Sequence, residues 1–417
     1  MSPAKPALAE AGAFFVGNDG GQLDGKPVRA TPVGGVCVRM NILILTEKYP
    51  PDVGGLAVST RRLARGLAQT GQSVAVSTLD ASLPPGTTTT NDDEGVPILR
   101  LGPHRRADDT LSGWFDHVVG LHAARSLDVI HALYVTQSAF VAVTAARYLG
   151  RPSVISARGN DLDRAAFGPG TFSQVLWALQ HADAVTAVST DLVRKVQVFA
   201  PGRQVSFIPN GVDAELFAPG PRDAALASSL ELGDGPVVAF VGEARRKKGL
   251  TVLLAAFARL CDACDPPPVL LLVGGVRRDD APILEVFRRQ YPALKVRAVP
   301  NVAHDQLPAY YRLADVLVFP SVRDGLPNAL LEGMACERVV IASEVGGIPD
   351  AVRDQETGLL VRPGDVAALT EAMLALLSNP ERRERLGRAA RAVVAEFTPA
   401  REIERNLAVY HNVMGEG

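Results

Sequence analysis

The sequence predicts an α/β protein of two Rossmann-like domains facing across a cleft. Three observations carry this. From residue 41 onward, short continuous apolar runs alternate with helix-like stretches, the pattern of parallel strands covered on both faces. The alternation breaks at IPNGVDAELFAPG (208–220) and starts again at VVAFVG (237–242). Finally, 417 residues are more than one hydrophobic core usually serves. The expected organisation is a disordered extension over 1–39, a first domain over 40–210 and a second over 211–396. A C-terminal helix over 397–417 is expected to cross back to the first domain.

NILILT (41–46) reads as the first strand. A Gly-Gly loop follows it, and STRRLARGLAQTG reads as a helix that Gly71 ends. Further strands are expected near 73–79, 96–101, 128–132, 153–157, 184–188 and 205–208, with the Thr run at 87–90 in a loop. In the second half GLTVLLAAFARL is a helix, and PVLLLVGG (268–275), KVRAVP, ADVLVFP, RVVIAS and GLLVRP are strands. Ligands of such sheets sit beyond the carboxyl ends of the strands, so a residue counts here by whether it follows one.

Composition narrows the function. The chain carries 43 basic and 45 acidic residues for a net charge of −2, which gives no field for nucleic acid. Hydrophobic content is 47%, yet no apolar run reaches the ~18–20 residues that span a bilayer. Four cysteines form no disulfide framework, and Cys261-Asp-Ala-Cys264 lacks the second pair that would complete a zinc tetrahedron. Reduced thiols fit a cytoplasmic protein, with peripheral attachment at the inner membrane face left open. Residues 1–39 are rich in Gly, Pro and Ala and lack the cationic start and apolar core of a signal peptide. Gly20 to Lys26 has the spacing of a phosphate loop. However, Pro27 stands where Ser or Thr is needed and no strand precedes it.

Four stretches carry chemistry. Gly54-Gly55 lies between the first strand and first helix, where amides at a helix start can hold an anion. In FVGEARRKKGL (240–250), Arg245, Arg246, Lys247 and Lys248 precede Gly249 and a helix. Cations at that end oppose the helix dipole unless an anion lies among them, and a diphosphate fits. RDGLPNALLEGMA (323–335) follows a buried strand and holds Asp324 and Glu332, with Pro327 suited to a first helical turn. Gly325, Leu326 and Asn328 then offer amides to phosphate oxygens, while the two carboxylates accept hydrogen bonds from ribose or sugar hydroxyls. Arg158-Gly-Asn160-Asp161 follows the strand SVISA as a polar loop. Asp161-Leu-Asp163 has the look of a metal motif that does not belong in this architecture, and no metal site is expected.

The Gly-Gly loop, IPNGVD, the basic loop ending Lys248-Gly249, DGLPNALLEGMA and VGGIPDAVRDQETGLLVRPGD (345–365) occur in the order seen in GT-B family 4 retaining glycosyltransferases. Each is weak alone; five in order are specific, and nearly everything after Met40 resembles that family. The resemblance implies that Glu332 binds the ribose, Asp324 the transferred sugar and Lys248 the phosphate. It places Arg158, Asn160 and Asp161 on the acceptor side and gives His131, after the strand DVI, a catalytic role. Three departures stand out. Glu243 occupies the position of the family's arginine, so Arg245 or Arg246 is expected to substitute. Asp324 is one methylene shorter than the usual glutamate, and a second histidine after His131 is missing.

The implied reaction moves a sugar from a UDP- or GDP-sugar to a hydroxyl of a glycan, lipid-linked sugar or small molecule, with retention and no obligatory cofactor. A non-catalytic nucleotide-sugar binder or partner subunit of the same fold is the alternative. A dinucleotide oxidoreductase would need Gly-x-Gly-x-x-Gly after a strand, whereas Gly233-Asp-Gly235 precedes one. SGWFDHVVGLHAARS (112–126) could turn Trp114 and Phe115 to a lipid, but an amphipathic core helix is the better reading.

Overall fold

A computed structural model describes residues 39–165 and 168–415. The extension expected over 1–39, with its phosphate-loop lookalike, falls outside the described residues apart from Arg39. The first sheet holds β1 (Asn41–Thr46), β2 (Ser73–Leu79), β3 (Thr88–Asp93), β4 (Val96–Leu101), β5 (Val129–Leu133), β6 (Ser153–Ala157), β7 (Ala184–Ala187) and β8 (Val205–Phe207). Its order is β3-β4-β2-β1-β5-β6-β7-β8, parallel except at β3. The second sheet holds β9 (Val237–Val241), β10 (Val269–Val273), β11 (Val296–Val299), β12 (Val316–Phe319), β13 (Val340–Ser343) and β14 (Leu359–Val361). Its order, β11-β10-β9-β12-β13-β14, is the doubly wound Rossmann order.

The Thr run corrects one expectation. It opens the antiparallel edge strand β3 instead of a loop. Its side chains are exposed, so no apolar alternation marked it, and Asp92 with Gly95 closes the hairpin to β4. Trp114 is fully buried, and its indole Nε1 donates to Ser77 Oγ at 2.8 Å, so the helix Ala107–Arg125 packs on the sheet through this residue. Cys261 is likewise packed in the second domain, where burial pushes its thiol up to about 12. Among the described residues no helix is long and apolar enough to cross a membrane.

Both sheets reverse direction at one point, and those points place the site. In the first sheet β1 lies between β2 and β5; in the second β9 lies between β10 and β12. The Gly-Gly loop leaves β1, the basic loop leaves β9, and the Asp324 turn leaves β12. The C-terminal helix Pro399–Met414 lies on the first helix, Gly55–Gln69. A Cβ at Gly66 would stand 2.6 Å from Ile403 Cδ1, so this packing leaves no room for a side chain there.

Candidate active site

The basic loop is a short 3₁₀ turn, Arg246–Lys248, ended by Gly249 in the left-handed region. A Cβ on Gly249 would fall 1.9 Å from the Pro320 carbonyl oxygen, so only glycine lets the loop reach the end of β12. Val322 N donates to Lys247 O at 2.9 Å, which binds the basic loop to the Asp324 turn. The four cations are not equivalent. Arg246 pairs with Asp280 at 3.2 Å, with its side chain 72% exposed, and Arg245 pairs with Glu243 at 3.2 Å. The residue that displaced the family's arginine thus neutralises one of the expected substitutes, although Arg245 Nε remains buried without a partner.

Lys247 is different. It is half-buried with no hydrogen bond or ion pair to its amine among the described contacts. Burial pushes its ammonium down to about 8, with Lys248 and Arg245 adding to the fall and Asp324 opposing it. Lys248 Nζ donates directly to Asp324 Oδ2. Burial pushes the Asp324 carboxyl up, but the Lys248 charge and hydrogen bond, helped by Lys247 and Ser321, outweigh it and hold it below the usual carboxylate value. Asp324 also accepts from Ser321 Oγ at 3.2 Å and from Gly325 N at 3.1 Å.

Glu332 lies deeper than its position in the sequence implied. It is 6% exposed on the helix Asn328–Ala335 and accepts from Tyr311 Oη at 2.7 Å and His304 Nε2 at 3.0 Å. Phe217 stacks edge-on against both His304 and Tyr311. His304 and Tyr311 were missed in the sequence. His304 follows β11 and so satisfied the strand-end rule, whereas nothing local marked Tyr311 as a partner of Glu332. Asn328 bridges the domains, donating to Ser59 Oγ at 3.1 Å and to Gly55 O at 3.4 Å, while its Oδ1 is buried and unpartnered. Gly54 and Gly55 are exposed, with open space around Gly54. Gly325 and Leu326 pack against the first domain: a Cβ on Gly325 would meet Arg158 O at 2.8 Å, and Leu326 O accepts from Asn210 Nδ2 at 3.0 Å.

His131 and Asp161 are held inside the first domain, whereas Arg158 reaches the cluster through its carbonyl, beside Gly325. His131 occupies the middle of β5, fully buried, its Nδ1 2.7 Å from Tyr410 Oη and its Nε2 2.7 Å from Ser156 Oγ. Burial, with Arg158 nearby, pushes it down to about 3, and its two hydrogen bonds pin the sheet to the C-terminal helix. Asp161 is buried as well, and accepts from the backbone N–H groups of Val135, Arg158 and Gly159, each at 3.0 Å. That carboxylate shapes its own loop. Arg158 turns inward to Asn210 and Glu402. The side chain of Asn160 lies outside the described residues. Among the described residues no cluster of three or more His, Cys, Asp or Glu is placed to hold a metal.

The arrangement offers lysines and a helix start for a diphosphate and two held carboxylates for hydroxyls, all where two domains meet. Two family models match, glycosyl transferase 4-like domain over residues 54–211 and glycosyl transferases group 1 over 222–393. The chain is 32% identical to D-inositol 3-phosphate glycosyltransferase 1 of Catenulispora acidiphila, over 88% of this chain and 92% of that one. It is 31% identical to alpha-maltose-1-phosphate synthase of Mycolicibacterium smegmatis, covering 90% and 100%. Sucrose-phosphate synthase of Thermosynechococcus elongatus superposes with a TM-score of 0.79 at 25% identity, over 91% of this chain and all of that one. The chain therefore belongs to the group 1 glycosyltransferases of the GT-B fold, enzymes that move a sugar from a nucleotide-sugar donor to an acceptor with retained configuration.

Proposed function

We propose that the cluster at the second sheet's reversal point is the donor site, with Lys247 and Lys248 on the diphosphate, Glu332 on the ribose and Asp324 on the transferred sugar. The observation that supports it most is the Lys248–Asp324 pair, which sets the phosphate cation beside the sugar carboxylate. Donor binding inserts between them: the diphosphate takes the lysine and the sugar hydroxyls take the carboxylate. The leaving nucleoside diphosphate then meets preorganised charge, and an acceptor hydroxyl attacks on the same face of the sugar. No metal is obligatory in this reading, and no side chain is assigned as base. Gly54 and Gly55, exposed at the start of the first helix, belong to the donor side in this reading. Relatives named for inositol phosphate and maltose 1-phosphate direct attention to small phosphorylated acceptors. The direct test is release of UDP, GDP or ADP from a panel of nucleotide sugars, with and without sugar phosphates. One donor should stand out by at least tenfold; a panel with no release and no nucleotide binding would return the chain to a non-catalytic role.

Lys247 gives this site a pH signature. Its ammonium is the form that attracts a diphosphate, and in the unliganded protein that form is lost above about 8. Nucleotide affinity should therefore fall as pH rises from 8 to 9, and binding at pH 8.5 should take up protons because the diphosphate raises the amine's pKa. Stability runs the other way: between about 8 and the unfolded value near 10.4 only the unfolded chain holds this proton, so Lys247 makes folding more favourable as pH rises. Calorimetric titration in buffers of different ionisation enthalpy measures the uptake. Lys247→Gln should bind more weakly at pH 7 and show no uptake; equal uptake in both proteins would remove Lys247 from the site.

A further inference from the structure

We propose that Arg158 and Asn210 are positioning residues, a relay through which the C-terminal helix holds the Asp324 turn in place. The inference rests on the reading that this turn carries the transferred sugar. Arg158 follows β6 in the first domain and its side chain is only 7% exposed. Its Nη2 donates to Asn210 Oδ1 at 2.6 Å and lies 3.8 Å from Glu402 Oε1. Asn210, 5% exposed in the connection between domains, passes the link on by donating Nδ2 to Leu326 O at 3.0 Å. Leu326 is two residues from Asp324.

Glu402 anchors the other end. Its side chain is 1% exposed on the C-terminal helix and accepts from Arg62 Nε at 2.8 Å, Arg62 Nη2 at 3.3 Å and Gly211 N at 3.0 Å. One carboxylate thereby joins the first helix, the interdomain connection and, through Arg158 and Asn210, the donor turn. Backbones along this path leave little space for slippage. A Cβ on Gly325 would stand 2.8 Å from Arg158 O, and one on Gly211 would stand 2.6 Å from Pro399 N.

Stability alone is a weak reason for such a network. Two buried charges cost desolvation that their attraction offsets only with good geometry, and apolar replacements of similar volume are often neutral. A fully satisfied polar network instead selects one arrangement, because each alternative strands a donor or acceptor. Here the selected arrangement is the height of the Leu326 carbonyl, hence of Gly325 and Asp324, above the first domain. Misplacing a positioned group by about 1 Å can cost ~10²-fold in rate. The first domain and C-terminal helix thus set donor geometry from behind, at residues that do not touch the donor.

Asn210→Asp is the sharpest test. It keeps the volume and an oxygen for Arg158 but removes the N–H that Leu326 O accepts. Donor turnover should fall about 10- to 100-fold in kcat. The Kd for UDP or GDP, whichever the wild type binds, should stay within about threefold, because Lys248 and Glu332 are untouched. Amide exchange at Asp324, Gly325 and Leu326 should rise at least about tenfold, while Val237–Val241 stays protected. Arg158→Met should give the same local exchange, and Arg158→Lys, which restores a charge beside Glu402, an intermediate one. Unchanged exchange in the turn, or an equal rise in β9 and the turn, overturns the relay. If the wild type binds no nucleotide, the donor reading fails, but exchange in the unliganded variants still decides whether the relay holds the turn.

Discussion

Lys248→Ala is expected to lower kcat/KM by roughly 10²–10³-fold, the scale of one lost electrostatic donor to a developing charge. Two effects combine. The diphosphate loses its point charge, and Asp324 loses the partner that holds it ionised against burial. An unpaired carboxylate would then face the incoming phosphates. The sign follows for acid as well. In the wild type Asp324 is held below the usual carboxylate value, so the ionised form survives into acid; its contribution to stability is lost only as pH falls through that depressed value. Without Lys248, burial dominates and the carboxyl titrates at higher pH, so acid inactivation should begin earlier in the variant. Kinetics from pH 4.5 to 7 would measure this, and an unshifted acid limb with wild-type turnover would separate Lys248 from Asp324.

The sequence made the fold legible because parallel strands buried on both faces are written as continuous apolar runs. Thirteen of these were placed within a residue or two, from β1 at NILILT to β14 at GLLVRP. Strand β3 escaped because an exposed edge strand of Thr, Asn and Asp leaves no apolar trace. The candidate site was legible where chemistry and strand ends coincide. Lys248, Asp324 and the Asn328 turn meet in space because β9 and β12 are neighbours at the reversal point. The same rule misled at His131, which sits inside β5 and whose partner, Tyr410, is 279 residues away. The partners of Arg158 were hidden for a related reason. Its acid, Glu402, comes from the other end of the chain, and no local pattern reports a contact of that range. Charge counting in the basic loop also could not say which cation was spare. Asp280, across the loop from Arg246, decides that.

Gly346→Ala is expected to cost at least about 10²-fold in kcat/KM by moving the donor turn without touching any charged group. Gly346 has φ 56° in the VGG segment after β13, and a Cβ there would lie 1.8 Å from Asp324 O and 3.3 Å from Gly325 O. Gly347 follows with its own close approach, since a Cβ added there would stand 2.5 Å from Ser189 Cβ of the first domain, and its N–H donates to Gly325 O at 2.8 Å. The turn bearing Asp324 is thus seated directly on this segment. A methyl group must displace the Asp324 peptide, because a backbone carbonyl cannot rotate away as a flexible side chain could. Strain alone has to be separated from displacement, since a left-handed alanine costs ~1–2 kcal/mol wherever it stands. Gly364 supplies the comparison: φ is 82°, but nothing lies within 4 Å of its added Cβ. Gly364→Ala should therefore lose stability of ~1–2 kcal/mol and keep wild-type kinetics, while Gly346→Ala loses turnover beyond what its melting temperature accounts for. Should both variants keep full activity, the close approach at Gly346 does not set the position of Asp324.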